Sequence, residues 1–304
     1  MARRLAKSSV RAPRARRAAT RPAVRAPLER WELVHRVAEG SWAEVYRARP
    51  ADGAPAAAAY CLKRLKPGCE ADPQAISLLR REARVGRAVT NPHLVPVLET
   101  HVEQAPFFVV MPWIEGATLA AFQASASEKT VPLPTALWIA RQVGEALTAL
   151  DAAGWAHSDV KPANIIVSPA GHATLLDLAF ARRPDDEDRS RESFLAGTPS
   201  YMAPETLLST MRPDIRSDIY SLGAVLYEML TGSLPFPAAD AAELITAHRQ
   251  AEPPNVRELA PDLPKTVATL LHEMLSKEPL RRPQSPAEVV KRLTALEIES
   301  FGEL

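Results

Sequence analysis

Asp159, Lys161 and Asn164 share one short stretch, Ala156-His157-Ser158-Asp159-Val160-Lys161-Pro162-Ala163-Asn164, and Asp177 follows thirteen residues later in Asp177-Leu178-Ala179. A short loop and a neighbouring hairpin bring these two carboxylates, one ammonium and one amide to a single place. Such a set suits phosphoryl transfer, which asks little covalent work of a protein and much positioning and charge neutralisation. Carboxylate and amide oxygens are also the hard donors that Mg²⁺ prefers.

The flanking sequence supplies the elements that hold the set. Ile165-Ile166-Val167 and Ala173-Thr174-Leu175-Leu176 read as a hairpin around Ser168 to His172, which returns Asp177 to the side of Asn164. Ahead of the loop, Ile139, Val143, Leu147 and Leu150 recur every three or four residues and predict a helix over 135–153, with Gly154 at its left-handed end. Nearer the start, Trp31 to Val37 and Ala43 to Ala48 predict two strands joined by a turn containing Gly40. A third strand over 58–65, a helix over 73–89 striped by Ile76, Leu79 and Ala83, and strands near 94–99 and 107–111 complete a small sheet with one helix. Beyond Gly116 the chain turns mainly helical, with further helices predicted at 218–230, 239–249, 264–276 and 286–296.

A chain of 304 residues, 46% hydrophobic, is long enough to bury a full core. Its net charge of +1 hides a split: residues 1–30 hold nine Arg and one Lys against one Glu, a net of +9, which leaves −8 for the remainder. That first stretch lacks apolar periodicity and is expected to be a basic disordered tail. Its charge suits an acidic partner or nucleic acid, although no aromatic residues are interleaved to stack bases. No apolar run is long enough for a membrane span, and a cytoplasmic protein is expected. Cys61 and Cys69 are too few for a disulfide framework and read as reduced thiols.

Taken in order, these motifs resemble those of the eukaryotic-like (bacterial-type) serine/threonine protein kinases. Gly40-Ser41-Trp42-Ala43-Glu44-Val45 resembles the phosphate-covering loop, Cys61-Leu62-Lys63 the third-strand lysine, and Arg81-Glu82-Ala83 the glutamate of the N-lobe helix. Gly197 to Glu205 resembles the end of an activation segment, Asp218 to Gly223 the central C-lobe helix, and Arg281-Arg282-Pro283 the late arginine motif. Each alone is weak; the ordered set is specific. The resemblance covers about residues 31–298 and implies an α+β, two-lobed protein-kinase-like fold, with an N-lobe over 31–114, a C-lobe over 115–298 and a short end over 299–304.

The resemblance also implies roles. Asp159 would orient or accept the substrate hydroxyl proton and Lys161 would neutralise the transferred group. Asn164 and Asp177 would hold Mg²⁺, and Lys63, paired with Glu82, would bind the phosphates of ATP. Met111 would stand as gatekeeper. Pro112 would accept from the base through its carbonyl, and Ile114 would donate through its amide. Val37, Val45, Cys61 and Ile166 would flank the ring, with Gly40 over the phosphates. Thr198 points to the serine/threonine-specific branch, hence to protein substrates with Ser/Thr acceptors. Glu205 with Arg282 and Asp218 with the catalytic-loop backbone are expected as structural supports.

Several positions depart from the family pattern. Ala38 and Ala43 replace the outer glycines of the phosphate loop, which predicts backbone strain of roughly 1–2 kcal/mol at each forced site and weaker nucleotide binding. Ala179 replaces a metal-motif glycine, and Gly86 replaces a bulky residue one turn beyond Glu82, which predicts a less firmly held helix. Ser158 replaces an arginine that clamps a phosphate on the activation segment, so Ser190 and Ser193 lack that cationic partner and activity independent of their phosphorylation is expected. The alternative is a pseudokinase that binds nucleotide with little turnover. Against it, every charged group the reaction needs is present.

Overall fold

The computed structural model describes residues 27–52, 58–126, 129–183, 199–208, 214–237 and 240–302. The basic stretch 1–26 and the positions Ser190, Ser193, Gly197 and Thr198 lie outside the described residues.

Five strands, β1 (Trp31–Glu39), β2 (Ala43–Pro50), β3 (Tyr60–Leu65), β4 (Glu99–His101) and β5 (Phe108–Pro112), form an antiparallel sheet in the order β1-β2-β3-β5-β4. Alternation along β3 splits its side chains between two apolar clusters. Leu62 joins Ala48, Phe108 and Val110 on one face, while Leu65 joins Val109 and Met111 on the other. The second face is covered by α1 (Pro73–Ala88), which buries Leu79, Glu82, Ala83 and Gly86. Asp72 caps this helix by accepting from the Gln74 amide at 2.9 Å, and Pro73 occupies a first-turn place where no N–H is needed.

Two expectations for this lobe are corrected. The segment 94–99 is not a strand of the sheet: Leu94 makes an isolated parallel bridge to Leu175, and the Val95 amide donates to the Leu175 carbonyl at 3.0 Å. Pro96 has no N–H to offer a ladder, so pairing with β5 begins only past it. The basic stretch also ends earlier than expected, since Pro27–Arg30 form a 3₁₀ turn, Leu28 packs against the Leu62–Phe108 cluster and Arg30 pairs with Glu99.

The helical lobe is built around α3 (Leu133–Ala152), α5 (Ile215–Thr231), α8 (Lys265–Met274) and α9 (Pro286–Gly302), whose apolar faces share one core with Tyr220 and Tyr227 fully buried in it. Strands β6 (Ala117–Thr118), β7 (Ile165–Val167) and β8 (Ala173–Leu175) form a second small sheet at its upper edge. The shorter helices α2 (Leu119–Ser125), α4 (Pro204–Leu208), α6 (Ala241–Gln250) and α7 (Val256–Leu259) complete the lobe. The helix α5 starts three residues before the expected 218, because Asp214 caps it by accepting from the Arg216 amide at 2.8 Å. Gly116, at φ +144°, lets the connection between lobes pass Val167, whose carbonyl oxygen would lie 2.3 Å from any Cβ there.

Candidate active site

The sheet and the helical lobe each contribute one half of a polar cluster. Lys63 projects from β3 on the face that α1 covers, and its Nζ lies 2.8 Å from Glu82 Oε2 and 3.0 Å from Asp177 Oδ1. Burial alone would lower the Lys63 pKa, but the Asp177 and Glu82 carboxylates outweigh it and raise it. Burial pushes the Glu82 carboxyl up to about 7, opposed by the Lys63 ammonium. Asp177 is only half-buried, and the Lys63 charge outweighs desolvation and holds its carboxyl below the usual range.

The second half sits on the catalytic loop. Lys161 Nζ donates to both Asp159 oxygens at 2.9 and 2.8 Å, and Asn164 Nδ2 donates to Asp159 Oδ2 at 2.7 Å and to the Asp159 carbonyl at 2.9 Å. With its nitrogen committed, Asn164 keeps its amide oxygen for another partner. Burial raises the Asp159 pKa, partly offset by Lys161. The hairpin closes the two halves together: the Leu176 amide donates to the Asn164 carbonyl at 2.8 Å, directly before Asp177.

The loop is anchored from below. Asp218, buried in the first turns of α5, accepts from the His157 amide at 2.6 Å and the Ser158 amide at 2.8 Å. Burial drives its carboxyl up to about 7 despite both bonds. The His157 ring accepts from the Asp159 amide through Nδ1 at 3.2 Å, so its Nε2 carries the proton donated to the Leu176 carbonyl at 2.9 Å. Burial lowers the His157 pKa, in keeping with that neutral form. Ser158 and Asp177 both adopt left-handed backbone, at φ 67° and 63°, which costs on the order of 1–3 kcal/mol each and aims the loop and the Asp177 carboxylate.

The expected nucleotide residues fall on both sides of the gap between lobes. Val45 pairs with Lys63, and Cys61 with Met111, so all four share one face of the sheet. Burial pushes the Cys61 thiol up to about 12, which keeps it an uncharged apolar wall. Ile114 packs against the cluster that contains Met111, Pro112 ends β5, and Ile166 stands opposite on β7. Val37 is about half exposed on β1. Gly40 closes the β1–β2 turn, its amide donating to the Ala43 carbonyl at 2.8 Å.

The departures look different in place. Neither Ala38 nor Ala43 takes a positive φ, so the strain expected at those positions is not there; they pair with Val45 and Leu65, Ala38 just past a shift in register after Arg36. Ala179 is fully buried in the 3₁₀ turn Leu178–Phe180. The expectation that Gly86 loosens α1 is reversed, because the helix approaches Val97 so closely that a Cβ at 86 would lie 2.5 Å from Val97 Cγ2. Two residues carry more than sequence reasoning gave them. Trp42 lies over Lys63, with Nζ 4.7 Å from the ring centroid. Arg182, bridged to Ala156 through a pair of 2.8 Å backbone bonds, lines a small cavity together with Ser158, Met202 and Asp218. A basic residue five positions past Asp177 was the available signal for Arg182; an aromatic inside the phosphate loop was the signal for Trp42.

A sheet lobe and a helical lobe that present Lys63–Glu82 on one side and Asp159, Lys161, Asn164 and Asp177 on the other define a protein-kinase catalytic domain. Residues 31–293 match the family model described as "Protein kinase domain", and the chain belongs to that family, in its bacterial serine/threonine branch. It is 36% identical over 72% of its length to the serine/threonine-protein kinase PknE of Mycobacterium tuberculosis, and 31% identical over 86% to the serine/threonine-protein kinase pkn3 of Myxococcus xanthus. It is 28% identical over 88% of its length to a probable serine/threonine-protein kinase, pknA2, of Bifidobacterium longum. The chain spans 38%, 49% and 35% of these relatives. Among the described residues no helix is long and apolar enough to cross a membrane.

Proposed function

We propose that the chain transfers the γ-phosphoryl group of ATP to Ser or Thr hydroxyls of proteins, with Mg²⁺ as the metal. The observation that carries this reading is the convergence of Lys63 and Glu82 from the sheet lobe with Asp177, Asp159, Lys161 and Asn164 from the helical lobe, joined across the boundary by the Lys63–Asp177 pair. The donor chemistry fits the metal: Asp177 offers a carboxylate and Asn164 a free amide oxygen. Two such ligands suffice for an ion that keeps its remaining places for water and phosphate oxygens. When bound, Mg²⁺ would neutralise phosphate charge. Lys63 would hold the phosphates while Glu82 fixes its position. Asp159 would orient the incoming hydroxyl and take its proton. Lys161, now paired to Asp159, would share its charge with the transferred group, and Asn164 would hold the Asp159 carboxylate in register.

We further propose that activity does not require a phosphate on the activation segment. Support comes from Ser158, which supplies no guanidinium, and from the Lys63–Glu82 pair, which is already formed. A cytoplasmic location and an acidic or nucleic-acid partner for residues 1–30 remain separate proposals, the latter tested by salt-dependent retention on a polyanion column before and after deleting the tail.

Incubation with labelled ATP, Mg²⁺ and a generic protein substrate tests the main reading. Asp159→Asn should lower turnover roughly 10²–10⁴-fold while nucleotide still binds. Equal signal in both proteins would sink the reading of this chain as a kinase acting through Asp159, and nucleotide binding with no turnover in either would point to a pseudokinase.

A further inference from the structure

The ammonium of Lys63 has a third neighbour besides its two carboxylates. Trp42, at the β1–β2 turn, folds its ring inward so that Lys63 Nζ lies 4.7 Å from the ring centroid. The ring also packs against the cluster of Leu65, Leu79 and Met111. The turn that carries it is pinned at two points: the Trp42 carbonyl accepts from the Lys66 amide at 3.0 Å, and the Gly40 amide donates to the Ala43 carbonyl at 2.8 Å. Lys63 itself is only 7% exposed. Its charge is therefore enclosed by Glu82, Asp177 and an aromatic face.

We propose that Trp42 is a cap on the phosphate-binding lysine, its ring covering the Lys63 ammonium and moving aside when phosphates arrive. This rests on the reading of Lys63 as the ATP lysine. A cation held over an indole face is attracted by the ring quadrupole, most strongly when both are shielded from water. Phosphate oxygens and the ring compete for the same ammonium. An anion binds a cation more strongly than a quadrupole does, so nucleotide wins, but only after the ring has left both the ammonium and its apolar seat. Apparent ATP affinity is then the intrinsic affinity multiplied by the fraction of molecules with the ring displaced. Trp42 would set the ATP concentration at which the enzyme turns on, without touching the transferred group.

The test compares KM for ATP and kcat in Trp42→Leu, which fills the apolar seat but lacks a π face, and Trp42→Phe, which keeps a ring. The expected result is a KM for ATP roughly three- to tenfold lower in Trp42→Leu, with kcat changed less than about twofold and Trp42→Phe close to wild type. A KM in Trp42→Leu that falls by less than about twofold, stays level or rises overturns the cap, as does an equal fall in Trp42→Phe. If Trp42→Leu does not fold, Mg-ADP should increase acrylamide quenching of tryptophan emission in wild type more than in Trp42→Phe; equal changes overturn the cap. Lys63→Met separates the two readings, since full ATP turnover in that variant would instead remove Lys63 from the nucleotide site.

Discussion

The Val97 amide donates to the Gly86 carbonyl at 2.9 Å, and the Val97 side chain fills the space a residue at 86 would need. Glu82 lies one turn earlier on the same helix, so this contact helps set where the Lys63 partner stands. Gly86→Ala should gain about 1 kcal/mol of helix propensity yet lose about 1–3 kcal/mol to overpacking, for a net fall in stability. Combining it with Val97→Ala should relieve the clash, giving a coupling of about 1 kcal/mol or more in a denaturation cycle. Additive effects would show that the close approach is not what positions α1.

The Glu82 carboxyl, raised to about 7, makes the Lys63 pair pH-dependent. Its proton is held more tightly folded than unfolded. The associated stability is therefore complete below the ordinary value of 4.5 and is lost as pH rises through about 7. Function runs the other way, because only the ionised carboxylate holds Lys63 as an ion pair. The kcat/KM for ATP should rise through pH about 7, and Glu82→Gln should remove that rise, the two proteins converging below pH about 6. A parallel pH profile in both would assign the rise to another group.

Much of this site can be read from the chain because charged groups at fixed spacing leave few arrangements: Asp159, Lys161 and Asn164 share one loop, and the hairpin after them has one natural return for Asp177. Shape was harder to read. The left-handed backbone at Ser158 and Asp177 falls on residues that do not advertise it, as a glycine would. Gly86 looked like a gap because its filler, Val97, is eleven residues away on another segment. Pro96 shifted a strand that apolar content placed too early, and α2, with few periodic positions, gave no signal of its own. Ala38 and Ala43 looked strained only by comparison with a family pattern; neither takes a positive φ.

The proposed independence from an activation-segment phosphate turns on Arg182 as well as on Ser158. It lines the cavity beside Ser158, where a guanidinium from the loop is missing. Phosphatase treatment should leave activity within about twofold, and Arg182→Ala should not create a difference between treated and untreated protein. If phosphatase abolishes activity and Arg182→Ala mimics it, Arg182 is the cation that reads the phosphate and independence from phosphorylation falls.

The pair between Glu205 and Arg282 ties the end of the activation segment to the C-lobe. Arg282 donates to Glu205 Oε1 at 2.6 Å and to Oε2 at 2.8 Å, and to the carbonyls of Ser276, Arg216 and Lys277 at 2.8 to 3.0 Å. Ser217 Oγ donates to the same Glu205 Oε1 at 2.8 Å. Both side chains are buried, so removing one leaves an uncompensated charge. Arg282→Ala should lower stability by about 3–5 kcal/mol, with Glu205→Ala similar. Arg282→Met with Glu205→Gln should be less damaging than the sum of the single changes, because no lone charge remains. Arg282→Lys should lie near the alanine variant, since an ammonium cannot reproduce the planar fork that meets a carboxylate and three carbonyls together. Thermal denaturation of these variants beside wild type, together with the Arg282→Met and Glu205→Gln single changes, measures this directly, and a lysine variant as stable as wild type would show that charge alone, without the fork, holds the segment in place.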